Sequence, residues 1–136
     1  MGGSAGLTDH TFSVEWFGET RTVRSCDQLQ SLLRELDRQF AKKPAMVDIE
    51  APSGAVLTVG LGSEASVLSF AADSERPPYY ASHGLQSDDG TVWFDYQGSA
   101  SEYPIWQVIS ISDAMEAAVE FCRTGARPTG VRWESV

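Results

Sequence analysis

Two amphipathic helical segments enclose a long series of short, strand-like segments, and this order restricts the chain to few architectures. Between Asp27 and Lys43 the apolar residues recur at i, i+3, i+4 and i+7, which places them on one stripe of a helix. They are Leu29, Leu32, Leu33, Leu36 and Phe40. A second apolar stripe, from Ile111 to Cys122, precedes Gly125, which is well placed as a C-cap glycine. Ser25 or Asp27 can cap the first helix, and Ser110 or Ser112 the second.

The segments outside the helices have the apolar alternation of β-strands, and turn residues separate them. The predicted strands are Thr11–Phe17, Thr20–Arg24, Met46–Ala51, Ala55–Leu61, Ala65–Ala71, Tyr79–Gly84, Thr91–Tyr96, Ile105–Ile109 and Gly130–Glu134. Asp73–Pro78 is predicted as a loop and Gly98–Glu102 as a turn. Leu57, Val59 and Leu61 form a fully apolar strand side and are expected to face the core. This order predicts an α+β fold, with a mainly antiparallel meander sheet of about seven to nine strands and two amphipathic helices packed on one face.

The length of 136 residues suits a single domain. We expect a flexible lead-in over residues 1–6 and one domain over residues 7–136. Cys26 and Cys122 belong to no CxxC pair, so both are predicted to be reduced, partly buried thiols. No apolar run approaches the roughly 18–20 residues of a membrane span, and the amino end lacks the pattern of a signal peptide. A cytoplasmic location is therefore expected.

Almost all of the net negative charge lies in the middle of the sequence. Between Pro44 and Ser110 there are nine acidic residues and one basic residue, Arg76, whereas acids and bases nearly cancel elsewhere. The formal charge of the whole chain is -9. A negative surface repels the phosphates of nucleic acid and suits a basic partner. The charge pattern therefore disfavours nucleic-acid binding by this chain.

No arrangement of residues in the sequence predicts catalysis. A general base would have to be His83, assisted by Asp95 or Glu102. There is no G-x-S-x-G nucleophile motif. Asp88-Asp89-Gly90 lacks the alternating ligands and the closing glutamate of a calcium loop, and it is interpreted as a hairpin turn. We therefore predict no enzyme, no metal and no cofactor, with a small enzyme built on His83 as an alternative.

Aromatic and acidic side chains are interleaved in the second half of the acidic segment. The aromatic residues are Tyr79, Tyr80, Trp93, Tyr96, Tyr103 and Trp106, and the acidic ones are Asp88, Asp89, Asp95 and Glu102. Aromatic side chains anchor protein interfaces, and charged side chains steer partners toward them. For Trp93 and Trp106 burial in the core is an equally good interpretation. The alternative is a small-molecule- or peptide-binding domain, which would need an enclosed apolar pocket of roughly several hundred cubic ångströms.

The carboxy-terminal third contains a distinctive succession of motifs. It comprises Ser101-Glu102-Tyr103-Pro104, an apolar run, a helix with Ala114, Ala118 and Phe121, then Thr124-Gly125-Ala126-Arg127-Pro128 and Val131-Arg132-Trp133. From Glu102 to Trp133 this pattern resembles the first-described immunity-protein family of bacterial polymorphic toxin systems, whose members are often paired with deaminase toxins. The resemblance implies that Phe121, Gly125, Pro128 and Trp133 belong to the scaffold.

The resemblance also implies a partner, namely a cognate toxin made by the same cell, whose active site the immunity protein blocks. A toxin that acts on nucleic acid needs a basic cleft, and zinc deaminases read their base in such a pocket. An acidic inhibitor with aromatic anchors would suit that cleft. The predicted toxin-binding residues are Tyr80, His83, Asp88, Asp89, Asp95, Tyr96, Glu102 and Tyr103. Neither nucleic acid nor a membrane is expected as a partner, and the oligomeric state stays open.

Overall fold

The computed structural model describes residues 11–85 and 89–136, in which two α-helices accompany a series of β-strands. The helices are α1 (Cys26–Gln39) and α2 (Ile111–Thr124). The strands are β1 (Phe12–Trp16), β2 (Glu19–Val23), β3 (Ala45–Glu50), β4 (Val56–Leu61), β5 (Ala65–Ser66), β6 (Leu68–Asp73), β7 (Arg76–His83), β8 (Thr91–Tyr96), β9 (Ser99–Pro104), β10 (Ile109–Ser110) and β11 (Arg132–Ser135). The predicted lead-in over residues 1–6, and Asp88, lie outside the described residues.

Nine of the described strands form one sheet. Seven of them follow the order β11-β7-β6-β4-β3-β1-β2, and each neighbouring pair on this path is antiparallel. β8 and β9 form an antiparallel hairpin, which joins the sheet through a parallel bridge between Asp95 and Ala45. β5 and β10 form a separate antiparallel pair. The predicted α+β fold with a mainly antiparallel sheet is confirmed.

The capping residues of both helices are among those expected from the sequence. The Ser25 hydroxyl accepts a hydrogen bond of 3.0 Å from the N–H three residues later, and the Ser110 hydroxyl does the same for α2. Gly125 adopts a left-handed φ of 71° at the end of α2, which a residue with a Cβ adopts only with strain. The described part of the chain has no helix of the length and hydrophobicity needed to cross a membrane.

Both helices contribute their apolar stripes to one core on one face of the sheet. This core includes Leu57, Val59 and Leu61 of β4, as predicted, together with the leucines of α1 and with Phe121 of α2. Phe121 packs edge-on against Phe12 of β1, with 5.5 Å between ring centroids. The implied scaffold role of Phe121 therefore agrees with its complete burial.

The β8–β9 hairpin folds over one end of the opposite face of the sheet. Phe94 lies directly against Gly60 of β4, where an added Cβ would come within 2.7 Å of the phenylalanine ring. Phe94 also packs with Met46, Val67 and Val108 in a second, smaller core. Because side chains alternate along a strand, these residues lie on the face that the helices do not cover. The hairpin thus covers one end of this face and leaves the other end open.

Two predictions around this hairpin are wrong. Gly98–Glu102 is not a turn, because only Gln97 and Gly98 form the turn and Ser99–Pro104 is strand β9, paired along its length with β8. Ile105–Ile109 is not one strand, since Ile105–Gln107 forms a 3₁₀ turn and only Ile109 and Ser110 continue as β10. Here the pairing of β9 with β8 outweighed the weak strand propensity of its two serines.

Two further boundaries differ from the prediction. Asp73–Pro78 is mostly strand, because β7 already begins at Arg76 and the pairing with β6 shifts register here, an irregularity that tolerates prolines. α1 ends at Gln39 instead of Lys43, after which Phe40 closes the helix and Lys43 N–H bonds to the Phe40 carbonyl in a separate turn. Lys43 precedes a proline, and this position disfavours helical backbone.

Candidate protein-interaction surface

The open end of the outer sheet face forms a groove of about 530 Å³, which we call the sheet groove. Strands β1, β2, β3, β4, β6 and β7 form its floor and sides, and Tyr96 of the hairpin borders it. Tyr79 and Tyr96 are 37% and 36% exposed, so both rings are available for contact. The groove is open to solvent and lined by polar as well as apolar residues, which does not match the enclosed apolar pocket expected of a small-molecule site.

Three carboxylates line the sheet groove, and its described lining residues include no lysine, arginine or histidine. The acids are Glu15 of β1 and Asp48 and Glu50 of β3. Glu15 and Asp48 are direct cross-strand partners, an arrangement in which like charges destabilise a sheet. The described ion pairs of the chain involve none of the three. The groove therefore carries concentrated negative charge without an internal counterion among the described residues.

Asp48 is held in place by neutral hydrogen-bond donors. The Thr58 hydroxyl donates to it at 2.6 Å from the neighbouring strand β4. Tyr96 Oη donates to Asp48 at 3.0 Å, and the Gln97 side-chain amide donates at 3.2 Å. These donors orient the carboxylate, but they leave its charge in place. They also tie the hairpin turn to the middle of β3.

The environment of Tyr96 keeps its phenol protonated. Partial burial of the ring, followed by the negative charge of Asp48 and the hydrogen bond to it, raises the pKa of Tyr96 well above the usual value of 10. Burial likewise raises the pKa of Tyr103. Tyr96 is therefore a neutral hydrogen-bond donor to Asp48 and adds no charge to the groove.

The predicted toxin-binding residues of the hairpin lie on different sides of it. Glu102 is exposed on the outer side, where it faces Trp93 across the two strands and accepts a hydrogen bond of 2.8 Å from Thr91. Asp89 is exposed just before β8. Trp93 is 57% exposed, so of the two interpretations of this residue the surface one is correct.

Asp95 departs most from the expected surface position. It is only 5% exposed, because β8 meets the start of β3 at this residue. One carboxylate oxygen of Asp95 lies 3.1 Å from the Lys43 amine, and the other accepts the Gly98 N–H at 2.8 Å. This side chain thus holds the hairpin turn against the body of the protein.

The other predicted contact residues lie apart from one another. Tyr80 faces the helix side of β7, where the Arg127 guanidinium stacks 4.2 Å above its ring. Tyr103 faces inward and packs edge-on against Phe94 at 6.0 Å. His83 lies at the far end of β7, and Asp88 lies outside the described residues. Among the predicted residues that the structure describes, Tyr96 and Tyr80 line the sheet groove, although the Tyr80 ring packs on the helix side of β7.

The prediction that His83 pairs with Asp95 or Glu102 is wrong. Its Nδ1 lies 2.9 Å from Glu134 on the neighbouring edge strand β11, whereas the sequence suggested Asp95 or Glu102. Glu134 is 50% exposed, and the pair sits on the sheet surface. Within the described residues no group of three or more potential ligands could hold a metal ion.

Comparison with known proteins adds a decisive observation. A family model described as "Immunity protein Imm1" matches residues 18–135, which is nearly the whole chain. The chain belongs to the Imm1 immunity-protein family. The resemblance seen between Glu102 and Trp133 is therefore confirmed, and it extends over most of the fold. A search of curated proteins finds no match.

Membership of the Imm1 family gives the chain an immunity function directed against a toxin. The implied scaffold residues fit their positions in the Imm1 fold. Trp133 is half-buried, packs near Phe70 and donates its indole N–H to the Pro128 carbonyl at 2.8 Å. The matched region includes Asp48 and Glu50 of the sheet groove, whereas Glu15 lies just before its first residue.

The polar side of the sheet groove could have been predicted from the alternation of residues along β1 and β3, whereas the charge count does not show it. Ser13 and Glu15 share one side of β1, and Asp48 and Glu50 share one side of β3, each opposite an apolar side that enters the core. Such alternation identifies a polar outer face. Which strands are neighbours cannot be read from alternation, so only the fold brings these acids together.

Proposed function

We propose that this immunity protein binds and occludes the active site of a cognate bacterial toxin that deaminates nucleic acid or nucleotides. The observation that carries the proposal is the Imm1 family match over residues 18–135. The negative charge of the chain supports the choice of toxin, because an enzyme acting on nucleic acid needs a positive active-site cleft. The immunity protein acts in the cytoplasm by stoichiometric binding, without catalysis of its own and without a cofactor.

The contact surface in this proposal includes the outer side of the β8–β9 hairpin. Trp93 has the character of an interface anchor, because a large aromatic side chain that is 57% exposed gains much contact area on binding. Glu102 lies directly across from it, and Asp89 is exposed at the start of the hairpin. The contact role predicted for Asp88, next to Asp89 in sequence, belongs to the same proposal.

The test uses the toxin encoded next to this chain. Cells expressing the toxin domain should stop growing, and co-expression of this chain should restore growth. The purified pair should form a one-to-one complex in which the deaminase activity is lost. A neighbouring toxin with nuclease activity would keep the immunity function and overturn the deaminase assignment. Growth arrest that persists despite stable expression of this chain would overturn the proposed function itself.

A matched pair of variants tests the hairpin surface. Charge reversal at Glu102, as Glu102→Lys, should slow association with the toxin and make it less sensitive to salt. Glu116→Lys, on an exposed position of α2, changes the charge equally on the helix side of the fold. Equal association rates for the two variants would remove the hairpin from the contact surface.

A further inference from the structure

The sheet groove is a concave, unpartnered part of the sheet that the proposed hairpin contacts do not use. The two helices cover one face of the sheet, and the hairpin covers one end of the other. What remains open is a groove of about 530 Å³ lined by six strands. This volume suits a side chain with its flanking backbone and is far larger than a single ion.

We infer that the sheet groove is a docking surface for a basic segment of the partner protein, with an arginine or lysine side chain placed between the carboxylates and the tyrosines. The inference rests on the proposed function only for the identity of that partner, which is the toxin. The chemistry of the occupant follows from the residues of the groove.

The sheet groove and a basic segment are complementary in charge. The described lining combines three carboxylates with no basic side chain, and two of them, Glu15 and Asp48, face each other across β1 and β3. Like charges in this position destabilise the free protein, and a bound cation would relieve that repulsion. The repulsion between Glu15 and Asp48 therefore destabilises the free chain, and a bound positive group would remove it.

The tyrosines and the floor of the groove also suit a long basic side chain. Tyr79 and Tyr96 line it with partly exposed rings, and aromatic faces attract guanidinium and ammonium groups. Val56 supplies an apolar contact for the methylene stem of a long basic side chain. Asp48 is already oriented by Thr58 and Tyr96, so little side-chain freedom is lost on binding.

Other occupants fit the groove less well. Its acids do not form a group of three or more ligands that could hold a metal ion, among the residues that the structure describes. Nucleic acid would be repelled by the carboxylates. A basic peptide segment matches both the negative charge and the tyrosine rings of the groove.

The experiment compares two double variants with the same change in charge. Glu15→Gln with Glu50→Gln removes two charges from the groove, and neither side chain makes a hydrogen bond or ion pair among the described contacts. Glu35→Gln with Glu116→Gln removes two charges from exposed positions of the helices. Binding of a hexa-arginine peptide is measured by calorimetry at low salt, and binding of the toxin is measured in parallel.

We expect the groove variant to bind hexa-arginine about fivefold more weakly than the wild type, and the helix variant to change little. The groove variant should unfold at or slightly above the wild-type temperature, because it relieves the Glu15–Asp48 repulsion, and the helix variant should keep the wild-type transition. Equal weakening in the two variants, or no binding of the peptide by the wild type, would overturn the inference.

The outcomes separate this inference from the proposed function. If the wild-type chain protects cells from the toxin but the groove variant binds both toxin and peptide normally, only the groove inference fails. If the chain gives no protection while the peptide result holds, the proposed function fails and the groove still binds basic segments.

Discussion

Replacing Phe94 by alanine should destabilise the protein strongly, because this side chain attaches the β8–β9 hairpin to the sheet. Phe94 is 2% exposed and its ring lies against the backbone of Gly60, which has no side chain to fill a vacated space. β4 is hydrogen-bonded to β3 and β6 on its two sides, so the floor beneath the ring cannot move inward. A cavity should therefore persist in the variant.

The magnitude follows from the size of the side chain and the rigidity of the site. Deleting a fully buried phenylalanine that leaves a cavity costs about 3–5 kcal/mol. Domains of this size have a total unfolding free energy of about 5–15 kcal/mol, so Phe94→Ala should still fold at 25 °C. Its melting temperature should fall by about 10–15 °C. Urea denaturation followed by tryptophan fluorescence measures the free energy directly.

Trp93→Ala is the matched control, since it removes a larger ring from the adjacent residue on the outer side of the same strand. Trp93 is 57% exposed, and its removal should cost less than about 1 kcal/mol. Circular dichroism replaces fluorescence for this comparison. Equal losses in the two variants, or a loss below about 1 kcal/mol for Phe94→Ala, would refute the packing of the hairpin on Gly60.

Three further predictions concern the elements that support the site. Gly125→Ala should lower the unfolding free energy by about 1–2 kcal/mol, because φ is 71° there, and thermal unfolding checks this. Lys43→Met removes the cation 3.1 Å from buried Asp95 and should cost about 1–2 kcal/mol, with faster hydrogen exchange at the hairpin turn. Burial and the neighbouring Cys26 raise the pKa of Cys122 to about 12 from 9.0. The unfolded thiol therefore ionises first, so stability should fall as pH rises from 9 toward 12, and Cys122→Ala should show a smaller fall.

The local elements of this fold were predictable from neighbouring residues. The stripe from Leu29 to Phe40 predicted α1, and Gly125 predicted the end of α2, because helix periodicity and left-handed caps depend on a few consecutive positions. The alternation of Leu57, Val59 and Leu61 predicted the core face of β4 for the same reason. The predicted toxin contacts stay a prediction, and the structure does not gather them on one surface, because strand alternation does not say which segments lie side by side.

Asp95 and Trp93 illustrate this difference. They share one side of β8, so alternation predicts similar exposure, yet Trp93 is 57% exposed and Asp95 5%. The difference arises where β8 meets the start of β3, and Lys43 and Gly98 then surround the Asp95 carboxylate. Strand alternation describes two sides of one segment, and it carries no information about contacts with distant segments.

The sequence by itself determined the helices, most strands, the family resemblance and the excess of negative charge. The tertiary structure alone decided where that charge is concentrated. Glu15 and Asp48 are 33 positions apart in the numbering, and the antiparallel pairing of β1 with β3 makes them direct neighbours. The hairpin then adds Tyr96 to the same groove. Strand pairing is chosen by the packing energy of the whole core, so an interaction surface assembled from distant strands becomes visible only once the chain is folded.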